Sequence, residues 1–256
     1  MSGPYSTCCK NIKVNAAILI IGNEILSGRT QDSNTSTLAI WLNSIGVKVG
    51  EVRVIPDIEK IIIDTVNFLR KNYNYVFTTG GIGPTHDDIT AQSISKAFGL
   101  KYEIHKEAFK ILEAYYKPGE FNEGRQKMTW MPSNANLILN PTSGAPGFNV
   151  ENVFCLPGVP SILKSMLGGL KNKIVGGEPI KSLTISLRTV ESEISESLTK
   201  VQDNNNDVEI GSYPFFQAGK LGVSIVIRSE DQSKIDQCNL QILKFVKEKK
   251  IEIVER

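Results

Sequence analysis

The residues best suited to chemistry are Thr78-Thr79-Gly80-Gly81-Ile82-Gly83-Pro84-Thr85-His86-Asp87-Asp88-Ile89-Thr90. Glycines let a backbone approach a ligand closely and aim several N–H groups at one anion. A helix beginning after the loop adds its positive end, so the segment is expected to cradle a phosphate. Two carboxylates beside such a cradle repel the ligand unless a divalent cation stands between them. The Asp87–Asp88 pair therefore points to Mg2+ or a similar ion. Asp is also a good helix N-cap, and one of the two is expected to cap the helix whose first turn holds them. His86 is a candidate acid, base or ligand, or equally an exposed loop residue, whereas His105 reads as a surface residue.

Two further clusters could share this site. Gly22-Asn23-Glu24-Ile25-Leu26-Ser27-Gly28, with Asp32 and Asn34 beyond it, follows an apolar run. In an open α/β sheet ligands bind beyond the carboxyl ends of the strands, so Glu24 is expected to add a third carboxylate. Asp32 reads equally well as a plain N-cap. Ser143-Gly144-Ala145-Pro146-Gly147 and Leu156-Pro157-Gly158-Val159-Pro160 could be ordinary turns, but flanking one short strand they are expected to wall a pocket. The candidate ligand contacts are thus Thr79, Gly80, Gly81, Gly83, Ser143, Gly144, Pro157 and Gly158. The candidate catalytic and metal-holding groups are Glu24, Asp87 and Asp88. If Gly81 only clears space for phosphate, Gly81→Val should keep the fold and lose the ligand. A Walker A lysine, a G-x-G-x-x-G fingerprint and a Ser/His/Asp elbow are absent from the sequence. Gly219-Lys220-Leu221-Gly222 imitates the G-x-x-G of KH domains but joins two strands, so a hairpin turn is expected.

The elements that must position these groups alternate. Asn15–Ile21, Lys48–Ile55 and Tyr75–Thr79 are β-branched or apolar runs. Between the first two lies a helical pattern with Leu38, Trp41, Leu42 and Ile45 on one face, stopped by Gly46. Asp57 reads as the cap of the next helix, whose apolar face is Ile58, Ile61, Ile62, Val66 and Leu69. Strand-helix alternation predicts an α/β fold, a parallel sheet covered on both faces. Helices are expected at Lys106–Tyr116 and Asn122–Met128, strands at Leu137–Leu139 and Val153–Leu156, and a helix opening at Pro160. The glycine pairs Gly168-Gly169 and Gly176-Gly177, with Pro179, predict a domain boundary. Beyond it the order β-α-β-β-α-β predicts a small α+β domain. The expected organisation is a leader over 1–14, an α/β domain over 15–175 and the small domain over 180–256.

Composition narrows the function classes. A formal net charge of +2, with Lys and Arg spread along the chain, leaves no footprint for nucleic acid. No apolar run approaches the roughly 18 residues that span a bilayer, and the leader lacks a signal peptide's apolar stretch. Neither nucleic acid nor membrane is expected as a partner; a small nucleotide or pterin ligand and a homo-oligomer are. Cys8, Cys9, Cys155 and Cys238 show no metal-ligand spacing, so reduced thiols and a cytoplasmic location are expected.

Taken together, Gly22–Gly28 with Asp32 and Asn34, Thr79–Thr90 and Leu156–Pro160 resemble the molybdopterin-binding (MoaB/Mog-like) domain family. The branch most similar is the amino-terminal part of competence/damage-inducible protein A, CinA, and the equivalent domain of FAD synthases is similar too. The likeness runs from about Ala17 to Leu170. Glu191–Ile194 and Gly211–Pro214 resemble the small KH-like domain that follows in the same branch. The resemblance implies a three-layer MogA-like fold and a site for a phosphorylated pterin or nucleotide. It further implies divalent-metal-dependent pyrophosphatase activity on ADP-ribose or FAD. The alternatives it leaves open are molybdopterin binding in molybdenum cofactor biosynthesis, with adenylyl transfer, and a non-catalytic ligand-binding regulator. Asn23 stands where many relatives carry Asp.

Overall fold

A computed structural model describes residues 14–217 and 219–254, and the chain divides into two compact units, Met1–Gly177 and Glu178–Arg256. The first unit begins with β1 (Asn15–Ile21), a short α1 (Asn23–Leu26), α2 (Asn34–Ser44), β2 (Lys48–Ile55), α3 (Glu59–Asn72) and β3 (Tyr75–Thr79). It continues with α4 (Thr90–Ala97), β4 (Tyr102–Ile104), α5 (Lys106–Tyr115), α6 (Glu123–Lys127) and β5 (Trp130–Pro132). It ends with β6 (Asn136–Ile138), β7 (Gly147–Val150), β8 (Val153–Leu156) and α7 (Pro160–Leu170).

Six of these strands form one sheet in the order β2-β1-β3-β8-β7-β6. The first four run parallel, and β7 and β6 close the far edge antiparallel. The apolar run of β1 explains the three layers, because successive side chains point to opposite faces of a sheet. Ala17, Leu19 and Ile21 pack with Ile62, Val66 and Leu69 of α3 and Ile94 of α4. Ala16, Ile18 and Ile20 pack on the other face with Leu38 and Leu42 of α2 and Leu163, Met166 and Leu170 of α7. A strand buried on both sides must be apolar throughout, and this one is.

Several expectations are corrected locally. The three strands missed, β4, β5 and β7, are each three or four residues long. β7 starts at Gly147, the last residue of the glycine- and proline-containing segment 140–147, which reads as turn. Gly168 and Gly169 lie inside α7, not at a boundary. Ile58 and Ile61 are exposed rather than on the buried face of α3. His105 is the N-cap of α5, its Nδ1 accepting the Ala108 N–H at 3.3 Å.

The second unit has β9 (Lys181–Leu187), α8 (Glu191–Asp203), β10 (Glu209–Gln217), β11 (Lys220–Ser229), α9 (Gln232–Glu248) and β12 (Ile253–Val254). Its sheet is antiparallel, ordered β10-β11-β9-β12. Ile185, Leu187, Val223, Ile225 and Ile227 pack against Ile194 and Val201 of α8 and Ile235, Cys238 and Ile242 of α9. The antiparallel pairing of Gln217 with Lys220 makes the Gly219 segment a hairpin turn. No helix among the described residues is long and apolar enough to cross a membrane.

Cys8, Cys9 and nearly all of the expected leader lie outside the described residues. Cys155 is a free, wholly buried thiol of β8, and burial pushes its pKa up to about 12. Since the thiolate is the nucleophile, Cys155 should resist alkylation near pH 8 until the protein is denatured. Peptide mapping after native and denatured labelling checks this; native labelling at Cys155 would contradict its burial.

Candidate functional site

Because β1, β3 and β8 are parallel, the loops that follow them emerge at one edge of the sheet. The antiparallel β7 starts beside the end of β8, so the Ser143–Gly144 turn between β6 and β7 lies at the same edge. One backbone and one side-chain hydrogen bond tie these loops together. Gly80 N–H donates to the Leu156 carbonyl at 3.1 Å, and Asn34 Nδ2 donates to the Gly158 carbonyl at 2.7 Å. A Cβ on Gly158 would stand 3.4 Å from Gly80 Cα, so the Gly-rich loop and the Pro157–Gly158 turn pack backbone on backbone. Asp32, one residue before the N-cap Ser33, accepts the N–H groups of Asn34 and Thr35 at the start of α2.

Thr90 clamps the Gly-rich loop from the start of α4. Its N–H donates to the Gly81 carbonyl at 2.9 Å and its Oγ1 to the Gly80 carbonyl at 3.0 Å. Gly80 and Gly81 adopt φ of +97° and +67°. A Cβ on Gly80 would overlap the Ile21 carbonyl oxygen, and one on Gly81 would overlap Thr90 Oγ1. The expectation that Gly81 merely leaves room for a phosphate is therefore corrected: the loop's own fold requires it. Gly83 leaves space for the Asp88 carboxylate, whose Oδ2 would lie 2.7 Å from an added Cβ. Thr79, at the end of β3, is almost wholly buried.

The carboxylates occupy unlike environments. The helix α4 starts only at Thr90, and the residue before it, Ile89, makes no side-chain cap. Neither Asp87 nor Asp88 is a helix cap, and both precede the first turn. Asp88 Oδ2 instead accepts the Thr85 N–H at 2.8 Å and the Thr85 hydroxyl at 2.5 Å, stapling the Pro84–Asp88 turn. Asp87 is exposed, and its carboxyl is held below the ordinary range first by the Thr85 hydroxyl, which it shares with Asp88 Oδ2. Its own backbone N–H and the positive fields of His86 and Lys127 act in the same direction.

The residue that sequence reasoning missed is Asp57. Read as the cap of α3, it makes no cap there. Its Oδ2 reaches back to accept the Asn23 N–H at 2.8 Å. Burial pushes its pKa up, and the charges of Glu24 and Asp87 push it further. Asp57, Glu24 and Asp87 thus form an electrostatic set, with Asp57 favouring its proton and Asp87 its charge. Neighbouring carboxyls whose affinities for the proton are pushed apart can divide acid and base roles. A second missed residue is Lys127 of α6, whose Nζ donates to the Thr85 carbonyl.

Ser143 and Gly144 belong to a self-contained turn. Asn140 accepts the Thr142 and Ser143 N–H groups and donates to Ser143 Oγ and the Ala145 carbonyl. The Tyr115 ring packs where a Gly144 side chain would stand. A separate hollow of about 450 Å3, lined in part by Tyr75, Asn149 and Lys173, lies at the opposite edge of the sheet and shares no residue with these loops.

Among the described residues no three His, Cys, Asp or Glu side chains stand close enough to hold a metal ion by themselves. The expected cage of Glu24, Asp87 and Asp88 is therefore not preassembled, and the Thr85 staple accounts for Asp88. The donor chemistry still suits a hard cation: all the groups are carboxylates, and Mg2+ commonly takes one or two of these plus substrate phosphates. The negative charges of Glu24 and Asp87 acting on Asp57 give such an ion an electrostatic reason to bind.

Residues 17–175 match the family described as "probable molybdopterin binding domain", and residues 179–255 match the middle domain of FAD synthase. A protein of Archaeoglobus fulgidus is 33% identical, the match spanning 91% of this chain and 98% of its own. A second, from Pyrobaculum calidifontis, is 32% identical over 78% of this chain and 80% of its own. Among solved structures, that of CinA from Thermoplasma acidophilum, a protein described as of unknown function, superposes with a TM-score of 0.59 at 30% identity. It covers 64% of this chain and 98% of its own.

Proposed function

The chain belongs to the molybdopterin-binding domain family, and from that premise we propose that it is a divalent-metal-dependent hydrolase of dinucleotide diphosphates such as ADP-ribose or FAD. The observation that carries this reading is the crowding of Asp57 by Glu24 and Asp87 beside the Gly80–Gly83 loop. A pterin-binding loop alone has no need of three such carboxylates. The likeness of residues 179–255 to a segment of FAD synthase supports a flavin dinucleotide among the substrates.

In the proposed reaction the oxygen of water attacks one phosphorus of the diphosphate. The bond from that phosphorus to the bridging oxygen breaks, giving two monophosphates and one proton. Backbone N–H groups of Gly81, Ile82 and Gly83 bind the phosphate oxygens, the Gly80 N–H being held by the Leu156 carbonyl. Glu24 and Asp87 offer oxygen donors to the divalent ion, which when bound supplies Lewis-acid polarisation of the phosphoryl group. Asp57, whose affinity for a proton is raised, takes the proton from water at Oδ1 while the Asn23 N–H holds its Oδ2. Asp88 keeps the Thr85 turn in shape.

A second reading, molybdopterin binding with or without adenylyl transfer, is favoured by the family match itself. Purified protein incubated with ADP-ribose, FAD and molybdopterin, with and without Mg2+ or Mn2+, separates the two. Release of AMP only when the ion is present is expected. Tight molybdopterin binding with no turnover of any diphosphate would favour the second reading and leave a binding protein. Asp88→Asn should lower turnover only about tenfold, because Asn can still accept one of the two Thr85 hydrogen bonds. A titration with Mg2+ should give the wild-type half-saturation; a large rise would restore Asp88 as a metal ligand.

A further inference from the structure

The α5–α6 segment is built as an arm that reaches the Gly-rich loop. Phe121, between the two helices, packs edge-on against Phe109 of α5 with ring centroids 5.0 Å apart and stacks on Tyr116 at 6.1 Å. The Arg125 guanidinium lies 4.1 Å above the Tyr116 ring and also donates to the Glu120 carbonyl. Asn122 caps the short α6 by accepting the Arg125 N–H at 3.0 Å. Gln126 Nε2 donates to the Phe121 carbonyl, and Thr129 Oγ1 closes the end of the helix on the Gln126 carbonyl. α6 lies beside the loop at Gly124, where a Cβ would stand in ordinary contact, 3.7 Å, with the Pro84 carbonyl oxygen. Aromatic packing of this kind fixes where the last residue of the helix points.

That last residue is Lys127, partly buried, with Nζ on the Thr85 carbonyl and its charge acting on Asp87. A carbonyl oxygen is a weak partner for an ammonium group compared with an ionised oxygen. A diphosphate entering the loop brings further negative charge to a place where the charges of Glu24 and Asp87 already act against Asp57. The site needs a protein cation for such a ligand, and the arm supplies one.

We propose that Lys127 is a ligand-binding residue whose ammonium rests on the Thr85 carbonyl in the free protein and moves to a phosphate oxygen of a diphosphate ligand. Its specificity consequence is that the site discriminates by anionic charge: a dinucleotide diphosphate is held through Lys127, and an uncharged pterin or nucleoside is not. The inference rests on the diphosphate reading above but not on turnover.

Binding of inorganic pyrophosphate and of ADP-ribose, measured calorimetrically in chelator without divalent ions, tests it. Lys127→Met should weaken both ligands about tenfold, the size of one charge-assisted hydrogen bond. Lys127→Arg should restore most of the affinity. Lys127→Gln can still donate to the Thr85 carbonyl, and it should behave like the Met variant. The gap between wild type and Lys127→Met should narrow at about 0.5 M salt, where exposed charges are screened within a few ångströms. Equal affinities for wild type and Lys127→Met, or full rescue by Gln, would overturn the proposal and make Lys127 a loop support. Wild-type protein that binds neither probe would overturn the diphosphate reading and this inference together. Wild type that binds both but hydrolyses nothing would sink the hydrolase alone.

Discussion

Asp57→Asn is expected to abolish metal-dependent hydrolysis and, at neutral pH, to raise the melting temperature. The carboxyl of Asp57 has its pKa raised in the folded state, first by burial and then by Glu24 and Asp87. A raised pKa means that the folded protein holds that proton more tightly than the unfolded chain. The stabilisation is complete below the unfolded carboxyl pKa and is lost as pH rises through the folded value. At pH 7 the ionised group therefore works against folding, and Asn relieves it. The Asn oxygen can still accept the Asn23 N–H, so the link between the loops after β1 and β2 survives. Removing a group that acts in the transition state commonly costs roughly 3 kcal/mol or more, a rate loss of at least two orders of magnitude. Melting curves of both proteins between pH 4 and neutrality, about the carboxylate range, and kcat at saturating Mg2+ check the two halves. The stability gain should fade as the solution is acidified. A variant less stable than wild type at pH 7 would mean that the crowding at Asp57 has been misjudged.

Gly81→Val should fail through the fold before it fails through the ligand. Gly81 has a left-handed φ of +67°, a region that costs a branched side chain about 1–2 kcal/mol or more. The new Cβ would overlap Thr90 Oγ1 and so break the hydroxyl's bond to the Gly80 carbonyl. Strain and the lost clamp together should destabilise the first unit by about 2–4 kcal/mol, which lowers its melting temperature by several degrees or more. The measurement is a thermal melt of ligand-free protein, where only the loop's own packing is at stake. An unchanged melt with lost ligand affinity would return Gly81 to the role of clearing space for a phosphate.

The residues that were legible in the sequence are those whose role is local. Ala16–Ile21 is apolar at every position because both of its faces are covered, and that pattern predicted a strand of a sheet covered on both faces. The helices α2 and α3 showed in the 3.6-residue spacing of their apolar faces, α7 in its opening Pro160, and the Gly80–Gly83 loop in three glycines between a strand and a helix. Periodicity and turn chemistry are written over a few neighbouring residues, so a single sequence carries them.

What the tertiary structure decided is which loops share an edge and which partner each polar group takes. An Asp just before an amphipathic helix reads as its cap, and nothing near Asp57 says otherwise. Its partner is the N–H of Asn23, brought beside it because β2 lies next to β1 in the sheet order. Asp88 likewise looked like a cap or a ligand until Thr85 took its Oδ2. Gly81 looked like space for a phosphate until Thr90 filled that space. Lys127 is one of many lysines in the sequence, and only the aromatic packing of the α5–α6 arm sets it on the loop. Strand order and loop docking arise from contacts between distant segments, and hydrophobic patterning has no local mark for them. The secondary structure could therefore be read from the chain, while the pairing of charges that would give the site its chemistry depended on the assembled sheet.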